Sequence, residues 1–203
     1  TVAHVTHEAV EKLGGIGTVL EGMMTSPVYQ DIVQRSVLIG PAATHVTCDP
    51  QHRLGDDGTV LYSSVDQIDE IGIGNRLRPI EWSFDVALIY GKRKFDIPGD
   101  TRSGEADVLL IDVFKANTER LAQFKLRLSE RFGLNSMDYD KTWDYEEYIR
   151  LAEPAFYALN VLLGEEDWPC ILISHEFMGM GTAFKAILDG GDNFRTIFHA
   201  HEC

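Results

Sequence analysis

The order of apolar segments along these 203 residues predicts an α/β domain: a Rossmann-like three-layer fold with a mostly parallel sheet. Three observations carry that expectation. Short apolar runs at 2–6, 36–40, 107–114 and 170–174 read as strands. Stretches with helical spacing lie between them, so strand and helix alternate. The run DVLLIDVF (107–114) is apolar at nearly every position, as expected of a central parallel strand covered on both faces.

Taken in order, residues 2–6 alternate and form the first strand. Val19, Leu20 and Met23 then recur at helical spacing, predicting a helix over 17–24. SVLIG (36–40) is a buried strand stopped by Pro41. From about 49 to 80 the chain turns polar and Gly-rich and reads as an excursion from the core with one strand at 59–63. WSFDVALIY (82–90) reads as a strand, with Gly91, Lys92, Arg93 and Lys94 as a turn. After the central strand, Leu121, Phe124, Leu128 and Phe132 share one helical stripe, closed by Gly133. A long helix over 145–163 contains Pro154, where a kink or break is expected. CILIS (170–174) is a strand, 177–188 a helix and RTIFH (195–199) the last strand. No internal repeat or linker interrupts the series, so residues 1–203 read as a single Rossmann-like domain.

Composition narrows the function classes. The formal net charge of −14 offers no cationic excess to neutralise phosphates, which excludes nucleic acid as the main partner. No apolar run approaches the ~20 residues of a membrane span. The first ten residues carry His4, His7 and Glu8 and do not resemble a signal peptide. Cys48, Cys170 and Cys203 fit neither a disulfide framework nor metal-ligand spacing. They are expected as reduced thiols in a cytoplasmic protein.

Two constellations stand at expected strand ends. In EKLGGIGTVLEGM (11–23), Gly14 and Gly15 lie between strand and helix, with Lys12 beside them. Glycines allow close backbone approach, and a helix N-terminus with a lysine suits a phosphate or diphosphate. The pattern is not a P-loop, because no Gly-Lys-Ser/Thr follows, and it is a poor dinucleotide fingerprint, because Leu20 stands where the third glycine belongs. The second constellation is ISHEFMGMG (173–181) with RTIFHAHEC (195–203). His175 and Glu176 follow one strand; His199 and His201 follow the next. Both sets should reach the carboxyl edge of the sheet, where the Lys12 loop also arrives. A His or Glu at a strand end also serves to cap a helix or bond neighbouring backbone, and for each residue that reading stays open. His175, His199 and His201 together offer the donor set of an open zinc site. The sequence shows no outer partner for these rings, and no metal is expected.

Several stretches resemble one family. Lys12-Leu13-Gly14-Gly15-Ile16 followed by Thr18-Val19-Leu20 is similar to the Lys-x-Gly-Gly loop of glycogen and starch synthases. Val37-Leu38-Ile39-Gly40-Pro41 resembles the next strand, above all in eukaryotic-type glycogen synthases, and residues 108–113 resemble a later one. His175-Glu176-Phe177 resembles the family's His-Glu-Trp stretch. Thr196-Ile197-Phe198 leading to His201 resembles its Thr-Ile-Phe-Thr-Thr-His strand. The matches occur in order over nearly the whole chain.

The resemblance implies the N-terminal, acceptor-side domain of a GT-B glycosyltransferase. Such an enzyme moves glucose, with retention, from UDP-glucose or ADP-glucose to an α-1,4-glucan, without a cofactor. It implies that Lys12, Gly14 and Gly15 contact the donor's phosphates and sugar, that His201 lies over the donor sugar, and that Glu176 stands near the acceptor. A second domain with most nucleotide contacts is expected beyond this sequence, so the isolated chain should be inactive and bind a nucleotide sugar weakly. Phe177 departs from the family's Trp, and Glu202-Cys203 from its small residues. Other readings are a GT-B enzyme of different donor specificity, a non-catalytic carbohydrate- or protein-binding module using its aromatics, and a metal hydrolase on the three histidines.

Overall fold

The computed structural model describes residues 1–43, 49–96, 99 and 101–201. The expectations for Cys48, Glu202 and Cys203 lie outside the described residues. The elements are β1 (Val2–Val5), α1 (Gly15–Met24), α2 (Pro27–Ile32), β2 (Ser36–Pro41), β3 (Gly58–Ser63), β4 (Ile68–Asp69) and α3 (Gly74–Phe84). They continue with β5 (Ala87–Asp96), β6 (Ser103–Asp112), α4 (Thr118–Phe132), α5 (Trp143–Leu162), β7 (Cys170–His175), α6 (Met180–Asp189) and β8 (Phe194–His199). One open, mostly parallel sheet runs in the order β4-β3-β5-β6-β2-β1-β7-β8. Strands β6, β2, β1, β7 and β8 are mutually parallel, while β4, β3 and β5 join antiparallel. This α/β architecture is compatible with a Rossmann-like domain. No helix among the described residues is long and apolar enough to cross a membrane.

Period-two alternation explains why the central strands are apolar throughout. Val37 and Ile39 of β2, with Leu109 and Ile111 of β6, face a core shared with Leu77 of α3, Leu151, Ala155 and Leu159 of α5, and Ala183 of α6. Leu38, Val108 and Leu110 point to the other face, against Ile16, Leu20 and Met24 of α1. The sheet is therefore sandwiched between helical layers.

Several elements depart from the sequence expectation. Trp82 and Phe84 end α3 instead of opening a strand, and Asp85 closes that helix in the left-handed region at φ 51°. Gly91, Lys92, Arg93 and Lys94 are not a turn but lie inside β5. A Cβ on Gly91 would stand 2.0 Å from the Thr59 carbonyl oxygen, so the glycine marks close backbone approach where β3 bulges against β5. The polar excursion extends the sheet with β3 and β4 and adds most of α3; Leu54, Tyr62 and Leu77 within it are fully buried. Helix α5 runs through Pro154 without a break. Its buried Leu151, Ala152, Ala155 and Leu159 hold both halves to the core and offset the lost hydrogen bond. Helix α6 begins at Met180, not 177, after a 3₁₀ turn over Glu176–Gly179. Helix α2 was not anticipated; Ser26 caps it and Pro27 occupies its first turn.

The amino edge of the parallel strands is clamped by Arg35. Its guanidinium donates to Asp107 at 2.9 and 2.7 Å, to Asp167 at 2.6 Å and to the Leu162 carbonyl at 3.2 Å. Asp107 opens the parallel pairing of β6, and Asp167 precedes β7, so one side chain ties both flanks of β1 and β2. Arg35→Ala removes the cation that buried Asp107 and Asp167 share and leaves Asp107 only Lys92 Nζ, at 3.9 Å. It should lower unfolding free energy by about 3 kcal/mol, measured by urea denaturation.

Candidate functional site

The chain moves from β1 to β2 to β6 on one side, then returns through α5 to β7 on the other side of β1. The switch point therefore lies between the carboxyl ends of β1 and β7, where sheets of this kind accept ligands. Parallel pairing of β1, β7 and β8 brings the glycine loop, His175-Glu176 and His199 through His201 to this one edge.

Glu8 organises the loop after β1. It is buried, and its Oε2 accepts the backbone N–H groups of Leu13 at 3.2 Å, Gly14 at 2.9 Å and Gly17 at 2.8 Å. His7 Nε2 stands 3.3 Å from the other oxygen. Burial pushes the Glu8 carboxyl up, but the Gly14 and Gly17 donors, His7 and Leu13 together hold it below its ordinary value. The anion position suggested by the glycines is thus filled in part by the chain's own carboxylate. Glu8 takes three N–H groups and leaves those of Gly15 and Ile16. Lys12 turns away, and its Nζ meets Glu21 at 2.7 Å. Both side chains are substantially exposed, so that pair holds the lysine only weakly.

A cavity of about 760 Å³ opens above this loop. Gly14, Gly15, Glu176 and His201 all line it; Lys12, His175 and His199 do not. Tyr148 and Phe177 form an apolar wall, edge to face with ring centroids 5.7 Å apart. Asp144 and Glu147 at the head of α5 also reach the cavity. With Glu8 and Glu176, they make its lining rich in hydrogen-bond acceptors. Burial, Asp144 and Asp112 raise the Glu147 carboxyl above its ordinary value. The tryptophans, which a carbohydrate-binding module would use for stacking, lie elsewhere: Trp168 packs on Phe194, Trp143 on Phe114, and Trp82 is exposed away from this cavity.

Glu176 is one of three described non-glycine residues with positive φ, at 52°. The Ser174 hydroxyl donates to its carbonyl at 2.8 Å, and its Oε1 accepts the His201 backbone N–H. Local strain at a cavity wall, held by hydrogen bonds on both sides, is a recurrent property of functional positions.

Behind the cavity runs a chain of imidazoles. His201 Nε2 lies 2.7 Å from His175 Nδ1; His175 Nε2 lies 3.0 Å from His4 Nδ1. His4 Nε2 meets the Tyr29 hydroxyl at 3.0 Å, and that hydroxyl meets Ser36 Oγ at 3.0 Å. Burial, with His175 and His199 nearby, lowers His4 to about 3. Burial, His201 and His199 outweigh Glu176 and lower His175 to about 4. Burial and His199 also lower His201, against Glu176 and Glu8. The rings His4, His175 and His201 are therefore neutral near pH 7.

No family model matches this chain, and no curated protein sequence does. Its site must be read from geometry. Sequence reasoning did not single out Glu8, His4, Tyr29 or Glu147. Glu8 carried a signal, an acid six residues before Gly14 at a strand end. His4 and Tyr29 carried none, because their partners are 171 and 25 residues away.

Two tests follow from the loop. A Cβ on Gly17 would stand 2.6 Å from Glu8 Oε2, whereas one on Gly15 would meet nothing within 4 Å. Gly17→Ala should cost about 1–3 kcal/mol of stability, and Gly15→Ala should leave the melting temperature unchanged or raised. Glu8 contributes stability at pH values above its unfolded pKa, and that contribution fades as pH falls through the lower folded value. Glu8→Gln should therefore be about 1–3 kcal/mol less stable than the parent at pH 7. The gap should narrow below about pH 4, measured by parallel denaturation series.

Proposed function

We propose that this chain is the N-terminal, acceptor-side domain of a retaining GT-B glycosyltransferase. It would move glucose from a nucleotide diphosphate glucose, UDP-glucose or ADP-glucose, to an α-1,4-glucan. The observation that carries this reading is convergence. Segments separated by more than 150 residues in sequence, each resembling the glycogen and starch synthases, line one cavity at the switch point. The open space beside Gly15 adds support, because packing within the chain does not require a glycine there.

The lining suggests which part of the donor this domain handles. The acidic residues Glu8, Asp144, Glu147 and Glu176 line the cavity. They suit neutral hydroxyls that donate hydrogen bonds and repel a diphosphate. Sugar and acceptor hydroxyls are thus the natural occupants, with the Tyr148–Phe177 wall against a sugar face. The phosphates would meet Lys12, once released from Glu21, the N–H groups of Gly15 and Ile16, and a facing domain. Bond cleavage places negative charge on the leaving diphosphate, and fixed cationic and N–H donors there stabilise the transition state. His201, held neutral, is a hydrogen-bond partner for the donor sugar, and its backbone is fixed by Glu176.

The test is glucose transfer to glycogen by the protein encoded by the complete gene, with each donor. His201→Ala should lower kcat about 100-fold or more. Lys12→Ala should lower it as well, while Lys92→Ala, at an exposed strand position far from the cavity, should leave it unchanged. Absence of transfer with both donors would turn the reading toward another donor or a binding module.

A further inference from the structure

We propose that His175, His199 and His201 form a binding site for a late first-row divalent cation, with zinc as the natural candidate. This goes beyond the transferase reading, needs no sugar nucleotide, and stands or falls separately from it.

The site is produced by strand geometry. His175 ends β7 and is paired in register with His199 of parallel β8. His201 follows two residues beyond the end of β8, and its ring lies against that of His199. The rings converge, with centroids 5.4 Å apart for His175 and His199, 5.0 Å for His175 and His201, and 4.1 Å for His199 and His201. One ring nitrogen from each lies within 4.8 Å of the others. Zinc–imidazole bonds of about 2.0–2.1 Å set tetrahedral nitrogen separations near 3.3 Å. The His175–His201 contact of 2.7 Å must open by a few tenths of an ångström, and the wider contacts must close. His199 and His201 are only partly buried, so small ring rotations and metal entry are both open to them.

The decisive feature is the outer partner that the sequence does not reveal. A metal-binding imidazole normally donates its second N–H to a fixed acceptor, which sets its tautomer and orientation. His175 has such a partner in buried His4, which is backed by Tyr29 and Ser36. Metal binding selects the polarity in which Tyr29 donates to Ser36, His4 Nε2–H donates to Tyr29, and His4 Nδ1 accepts from His175 Nε2–H. That polarity leaves the His175 Nδ1 lone pair aimed at the cluster. In the metal-free chain it accepts the Nε2–H of His201. Binding moves that proton to His201 Nδ1, so both nitrogens present lone pairs and no net proton is released. Three imidazole donors suit zinc, cobalt, nickel or copper; magnesium and calcium prefer oxygen donors. Three protein ligands leave a fourth position for water or substrate.

The experiment is titration of the metal-stripped, tag-free chain with Co²⁺ followed by visible absorption, and with Zn²⁺ by calorimetry. The expected result is one equivalent bound with tetrahedral cobalt bands. His199→Ala, at the partly exposed end of an edge strand, should weaken zinc at least 100-fold and abolish those bands. Tyr29→Phe, which removes no ligand, should weaken zinc about 10-fold. His52→Ala, an exposed histidine elsewhere, should change nothing. A chain that takes up less than one equivalent would overturn the proposal. So would zinc affinity unchanged in His199→Ala.

Discussion

The buried Glu8 carboxylate, with the N–H groups of Leu13, Gly14 and Gly17 on one of its oxygens, governs the carboxyl edge of the sheet. Removing it would uncover three donors, of which the Gly17 N–H is buried. With it in place, the chain leaving β1 is fixed to the first turn of α1. That contact sets where Gly14 and Gly15 stand and how α1 lies across β5 and β6. It also explains the spacing of glycines: Gly17 is required by the carboxylate, while Gly15 is free of the chain and faces the cavity.

The two edges of the parallel sheet are built on opposite principles. At the amino edge, Arg35 satisfies Asp107 and Asp167 and binds the strands into a closed ionic knot. At the carboxyl edge, acidic residues instead gather at an open cavity: Asp144, Glu147 and Glu176 line it, and Lys12 is held aside by a weak exposed pair. The ionic knot lies away from the cavity, whose lining is held instead by the hydrogen bonds of Glu8 and Glu176.

The histidines extend this division. His4 and His175 occupy interior positions on β1 and β7 where an apolar side chain would pack without needing a partner. Their hydrogen bonds run from Ser36 near the amino edge to His201 at the cavity. A buried polar chain of this kind is satisfied only as a whole. The orientation of His201 is therefore tied to Tyr29, which touches neither cavity nor loop.

Much of the fold was legible in the sequence because burial on both faces leaves a direct mark. The runs at 36–40 and 170–174 are strands, residues 107–112 of the central run complete β6, and the stripe of Leu121, Phe124 and Leu128 is helix α4. The 82–94 region was misread for an equally physical reason. The helix stop at Asp85 depends on a left-handed residue that is not glycine, and Gly91 serves a close strand approach, not a turn. By itself the sequence determined the alternation of elements and that glycines, histidines and glutamates would gather at strand ends, because periodicity and local chain geometry are properties of neighbouring residues. Only the tertiary structure decided that Glu8 fills the loop, that Lys12 pairs with Glu21, and that His4 stands behind His175. Those partners depend on strand order and register, which join residues far apart in the chain and leave no local trace.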